Sequence, residues 1–117
     1  MKIVRIVAED RSRPRGQSRR VFKLIAGVNA DDRVVPGEWF GCVMVDNELW
    51  GFGTVDFDKL WGWLQYDDRR ERINLPAKVL RPGETFTIQD EEDEDEEWLL
   101  QITSVHVLCS DLPPQPA

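Results

Sequence analysis

Apolar and polar residues alternate in short runs through most of this chain, the period-two signature of half-buried β-strands. Val4, Ile6 and Ala8 alternate with Arg5, Val7 and Glu9, so residues 2–9 are predicted as a first strand. Phe22, Leu24, Ala26 and Val28 line one face of a second, with Val21, Lys23 and Ile25 on the other. Between them RSRPRGQSRR is a loop, marked by Pro14, Gly16, Ser12 and Ser18. After the connection NADDRVVPGE, the β-branched and aromatic run WFGCVMV is a third strand. DNE is a short hairpin turn before a fourth, LWGFGTV, which Gly51 and Gly53 weaken. Phe40, Cys42 and Met44 share one strand face, read here as facing the core.

One segment shows a different period. In DFDKLWGWLQYDDRRER, Phe57, Leu60, Trp61 and Leu64 fall at i, i+3, i+4 and i+7, with Asp56 or Asp58 available as a cap. This predicts a helix, kept short by Gly62 at a cost of about 1 kcal/mol. INLPAKVL is extended, with Pro76 confining it to an edge or bend, and RPGE is a turn. Phe86 and Ile88 alternate with Thr85 and Thr87 in a further strand. WLLQITSVHVL is the longest strand, and its apolar face switches near Thr103–Ser104, which predicts a bulge there. The expected fold class is mainly β with one short helix, a small antiparallel β-barrel or sandwich of about six strands. Residues 1–109 form its single domain, and 110–117 a flexible proline-rich tail.

Composition narrows the class. At 117 residues the chain can bury about two-thirds of its unfolded surface in one core. Hydrophobic content of 41% with five tryptophans excludes wholesale disorder despite 32% charged residues. No apolar run approaches the roughly 18 residues of a membrane span, and MKIVRIVAEDR is too interrupted by charge for a signal peptide. A soluble cytoplasmic protein without a membrane partner is expected. Its two cysteines, Cys42 and Cys109, accord with a reducing compartment.

The net charge of −7 hides a split. Residues 1–23 carry eight basic and two acidic side chains, so the remainder sums to −13. Arg11, Arg13, Arg15, Arg19 and Arg20 make a basic loop over residues 11–20. Asp90, Glu91, Glu92, Asp93, Glu94, Asp95, Glu96 and Glu97 make an acidic loop. Adjacent charges in such a run lie well inside the roughly 8 Å screening length of physiological salt. Folding cannot bury them together, so the run projects into water or meets a cationic surface. Two or three charges would keep a strand end from aggregating. Eight exceed that need and point to recognition.

Catalytic and metal chemistry find little support. Cys42, His106 and Cys109 are one ligand short of a structural zinc tetrad, and on an unbroken strand 106 and 109 face opposite sides. The acidic loop lacks the glycine turn and spaced ligands of an EF-hand. Ser104 and His106 share a strand face, but about 7 Å apart, too far for a nucleophile and its base. Glu38, Glu48, Asp56 and Asp58 are carboxylates at element ends, without a pattern that pairs them. There is no P-loop, dinucleotide fingerprint or nucleophile elbow. No metal or cofactor is expected, and the reading leans away from an enzyme.

The aromatic segment carries more. Trp39, Phe40, Trp50, Phe52, Phe57, Trp61, Trp63 and Tyr66 lie within 28 residues. Phe40, Phe52 and Trp61 are assigned to the core. Trp39 and Trp63 are assigned to a partner contact, since exposed tryptophans anchor interfaces. The leading expectation is a non-enzymatic interaction protein that binds a basic protein through residues 90–97, Trp39 and Trp63. Small acidic inhibitors of the immunity-protein kind, which cover the substrate site of a nuclease toxin, have this physical character. One alternative is a small-barrel nucleic-acid binder using Arg11, Arg13, Arg15, Arg19 and Arg20. The other is an enzyme or small-ligand protein with a pocket lined by Trp50, Phe52 and Trp63. Were the two charged loops at opposite ends of the barrel, they would pair head to tail between chains, giving weak, salt-sensitive self-association.

Overall fold

The computed structural model describes residues 1–12, 19–93 and 95–110. Eight antiparallel strands follow one another around a closed barrel: β1 (Lys2–Asp10), β2 (Arg20–Val28), β3 (Phe40–Val45), β4 (Glu48–Val55), β5 (Gly62–Gln65), β6 (Arg70–Ile73), β7 (Thr85–Asp90) and β8 (Glu97–Cys109). Each pairs with its neighbours in sequence, and β1 closes the barrel against β8. The antiparallel barrel is as expected, but with eight strands rather than six. Among the described residues its helical structure is limited to one 3-10 turn, Leu75–Ala77, which holds Pro76.

The alternation of β1 and β2 decides the interior. Val4, Ile6 and Ala8 face inward against Phe22, Leu24, Ala26 and Val28, all at most 2% exposed. At mid-height Phe22 stacks on Phe52 at 5.5 Å and meets Phe86 edge-on at 5.2 Å. Full burial of one such side chain contributes about 1.5–3 kcal/mol. Val34, Phe57, Leu75 and Leu80, from the connections at one end, complete the core, and Trp39 packs against it. The Trp39 indole N–H donates to the Val35 carbonyl at 2.7 Å, and its ring lies where a side chain at Gly27 would stand.

Three expectations change here. The segment predicted as a helix is the β4–β5 turn and the β5–β6 hairpin. Gly62 and Leu64 are buried, while Trp63 is half-buried and Gln65 exposed, the two-residue period of a strand. Gly62 lies against the Phe57 ring, which a β-carbon would overlap. The residue that weakens a helix therefore lets this strand sit on the core. Leu60, counted in the helical stripe, is 68% exposed, and Trp61 is half-buried rather than in the core.

In β3 the face is reversed. Gly41, Val43 and Val45 point inward, while Phe40 is 62% exposed and Cys42 and Met44 stand outside. A β-carbon at Gly41 would overlap the Lys23 carbonyl and the Phe52 ring, so β2 and β3 approach only because this position is glycine. Phe52 is core, as expected, and occupies that space.

The β3–β4 turn follows expectation: Asp46 and Asn47 both take positive φ, 50° and 68°, as a tight hairpin requires. So does the bulge in β8, where Val7 pairs with Ser104 and Ala8 with Ile102, leaving Thr103 extra. A second shift skips Leu108, between Val107 and Cys109. It brings His106 and Cys109 onto the same outer face, opposite Arg5 and Ile3. The expected tail lies outside the described residues from position 111 onward.

Candidate functional site

Consecutive antiparallel strands return the chain to the same end at every second connection. The β1–β2, β3–β4, β5–β6 and β7–β8 connections therefore share one end, the rim; the other three share the base. The roots of the basic and acidic loops lie side by side on this rim, since the Arg11 N–H donates to the Leu99 carbonyl at 2.7 Å. The premise of charged loops at opposite ends fails, and the head-to-tail argument fails with it.

Below the rim the interior turns polar. Continuing the inward alternation of β1, β2 and β6 places Asp10, Arg20 and Glu71 inside, all buried. Arg20 Nη1 donates to both carboxylate oxygens of Glu71 at 2.8 Å. The Tyr66 hydroxyl donates to Glu71 Oε1 at 2.7 Å. The Trp98 ring lies flat against Arg20, 3.5 Å from guanidinium carbon to ring centroid. Asp10 Oδ1 accepts from the Ser12 amide at 2.8 Å and from its hydroxyl. Arg20 is thus a buried structural cation, not a phosphate contact on an open loop. This cluster was legible in the spacing: Arg20 stands two before Phe22, Asp10 two after Ala8, and Glu71 two before Ile73.

Burial, then the charge of Glu71 and the hydrogen bond to it, push the Tyr66 hydroxyl far above its ordinary value. Folded, it keeps its proton where the unfolded chain releases one near pH 10. Its contribution to stability is therefore complete below about pH 10 and declines above it, by up to about 1.4 kcal/mol per pH unit. Urea unfolding from pH 8 to 11 should show this extra decline in the wild type and not in Tyr66→Phe. Parallel curves would remove the role assigned to the proton.

The acidic loop is ordered by its own carboxylates. Asp90 Oδ1 accepts from the amides of Glu92 at 2.8 Å and Asp93 at 3.1 Å, and Asp93 Oδ1 from that of Asp95 at 3.1 Å. The Glu96 carbonyl accepts from the Asp90 amide at 3.0 Å. Glu97 accepts from Gln89 at 3.1 Å, and Glu94 lies outside the described residues. Glu91 meets Arg70 Nε at 2.7 Å, and the Arg70 guanidinium lies 4.1 Å above the Trp63 ring. The neighbouring arginines do likewise: Arg69 over Tyr66 at 4.9 Å and Trp50 at 5.7 Å, Arg72 over Trp61 at 4.3 Å. Guanidinium groups held on aromatic faces are attracted by the ring quadrupole. Asp46 and Glu48 on one hairpin, and Asp67 and Asp68 on another, add carboxylates to the same rim.

The structure therefore sorts the expected site residues. Trp63 joins the acidic loop through Arg70, whereas Trp39 sits at the base among core residues. Arg11 pairs with Glu9 at 3.7 Å and donates to Gln101 at 3.1 Å. Arg19, the last residue before β2, is half-buried; Arg13 and Arg15 lie outside the described residues. Trp50, Phe52 and Trp63 do not converge: Phe52 is core and Trp63 is on the outer wall. A shallow rim depression lined by Leu49, Trp50, Gly51, Tyr66, Asp67 and Asp68 contains only the first of the three. Glu48 stands at the rim end of β4, while Asp56 lies beyond its base end. Among the described residues no group of three His, Cys, Asp or Glu side chains is placed to hold a metal ion. None of their helices is long and apolar enough to cross a membrane. No protein-family model, curated protein or solved structure matches this chain.

Proposed function

We propose that this chain is a non-enzymatic interaction protein whose acidic rim binds a basic protein partner. The observation that carries the reading is that three of the four connections at one end of the barrel, 46–48, 67–68 and 90–97, are acidic, against the one arginine-rich connection between β1 and β2. Charge presented in one direction steers a cationic partner to that end and raises its association rate by about 10–1000-fold. Trp63, with Arg70 over it, supplies an aromatic edge beside the loop. An inhibitor of the immunity-protein kind, covering the cationic substrate site of a nuclease, is the concrete form proposed. A cytoplasmic setting goes with it, since both cysteines are free thiols.

The nucleic-acid alternative has less support, because Arg20 is occupied by Glu71 and Arg11 by Glu9 and Gln101. The test is a comparison of the wild type with a variant carrying Ser or Gly at 90–97, each used to capture partners and then measured kinetically. The variant is expected to associate at least tenfold more slowly and with a flatter salt dependence. Equal rates would remove the acidic loop from the function.

A further inference from the structure

Strand β8 outruns its neighbour. β7 pairs with it only from Glu97 to Gln101, and Gly83 and Glu84 extend the seam to Ile102. From Thr103 to Cys109 one edge of β8 pairs with β1, while no described residue hydrogen-bonds to the other. Over these seven residues the backbone groups that point away from β1 have no partner among the described residues. The segment TSVHVLC carries no Asp, Glu, Lys or Arg, no proline and no glycine. Val107 and Leu108 are each 47% exposed. Proteins usually guard such an edge with lysine, proline, a bulge or a covering element; here the bulges at Thr103 and Leu108 flank a run, Ser104 to Val107, that stays in unbroken register with β1.

We infer that this edge is a homodimer interface, in which β8 of a second copy pairs antiparallel with it about a two-fold axis near His106. An antiparallel strand is its own complement under a two-fold, so a second copy offers the same free edge at the same length. In this register Val105 faces Val107 of the other copy and Val107 faces Val105, so the apolar residues of the two inner faces meet across the seam. The geometry also spares this occupant its charge repulsion. Each copy carries −7, much of it on the rim. Nine residues at about 3.3 Å each separate His106 from Glu97. Antiparallel pairing therefore holds the acidic loops about 60 Å apart, far beyond the roughly 8 Å screening length. The interface lies on the β8 overhang toward the base and leaves the rim open, so it stands independently of the proposed function.

Sedimentation over a concentration series, at 0.15 and 1 M salt, tests it. The wild type is expected to form a dimer whose dissociation constant is unchanged by salt. Val107→Lys and, separately, Leu108→Lys should each weaken it at least tenfold; both positions are exposed enough to keep the monomer folded. Hydrogen exchange on the wild type supplies a second readout, with those amides of 103–109 that point away from β1 protected in the dimer and released on dilution. A monomer at every concentration, or a dimer indifferent to both lysines, would overturn the inference. So would a dimer lost only when residues 90–97 are neutralised.

Discussion

An Arg20→Met variant is expected to lose about 3–5 kcal/mol of folding stability, a large part of the roughly 5–15 kcal/mol that holds a small domain folded. The loss comes from what remains behind. Glu71 is fully buried and takes its two charge-assisted hydrogen bonds from Arg20. Without them a carboxylate stays in the barrel with the Tyr66 hydroxyl as its hydrogen-bond donor, and burial penalises its charge heavily. The double variant Arg20→Met/Glu71→Leu removes charge and countercharge together. It should recover most of the stability, because apolar replacements of similar shape are often neutral or better. Urea midpoints for the two single variants and the double complete the cycle. If the double fell as far as the sum of the singles, the pair would not be coupled as the geometry requires.

Phe22→Ala should lose a comparable amount, about 3–5 kcal/mol, for a different reason. Phe22 is wholly buried and joins the rings of Phe52 and Phe86 across the barrel. Its removal opens a cavity where three strands meet, and the surrounding sheet is closed and cannot collapse into it. Trp63→Ala removes a larger ring from the outer wall and should cost only about 1 kcal/mol, chiefly its contact with Arg70. Unfolding curves for both, against the wild type, check this order. Equal losses would mean that the outer wall supports the barrel as much as its centre does.

Legibility in the sequence followed how local each determinant is. β1 and β2 were readable because their alternation runs uninterrupted for four turns of the pleat. The Asp46–Asn47 turn and the bulge at Thr103 were readable from two or three residues each. The β5–β6 hairpin was not. Phe57, Leu60, Trp61 and Leu64 satisfy a helical period by coincidence, and Gly62 is explained by the Phe57 ring, a tertiary contact. In β3 the larger apolar face lost to Gly41, because the space inside was already filled by Phe52. The acidic loop was evident as a run of charge, but its neighbours were not. Which connections share an end depends on how many times the chain crosses the barrel, and a helix in place of β5 and β6 leaves those two crossings out. Arg20 belongs by composition to the basic loop, but two residues of further alternation from Phe22 place it inside.

Barrel closure has a consequence for how the chain is made. Every strand pairing but one joins neighbours in sequence, and the exception is β1 with β8, from Ile3 with Cys109 to Asp10 with Leu100. Local hairpins form within microseconds, but this last seam cannot close until residue 109 has been synthesised. At about 5–20 residues per second, β1 waits with one edge bare for roughly 5–20 s. During that interval Lys2, Arg5 and Glu9 are the charges that keep its edge from pairing with a neighbouring nascent chain. The strand made last, β8, carries no charged residue beyond Glu97, and the partner it closes against is already in place when it emerges.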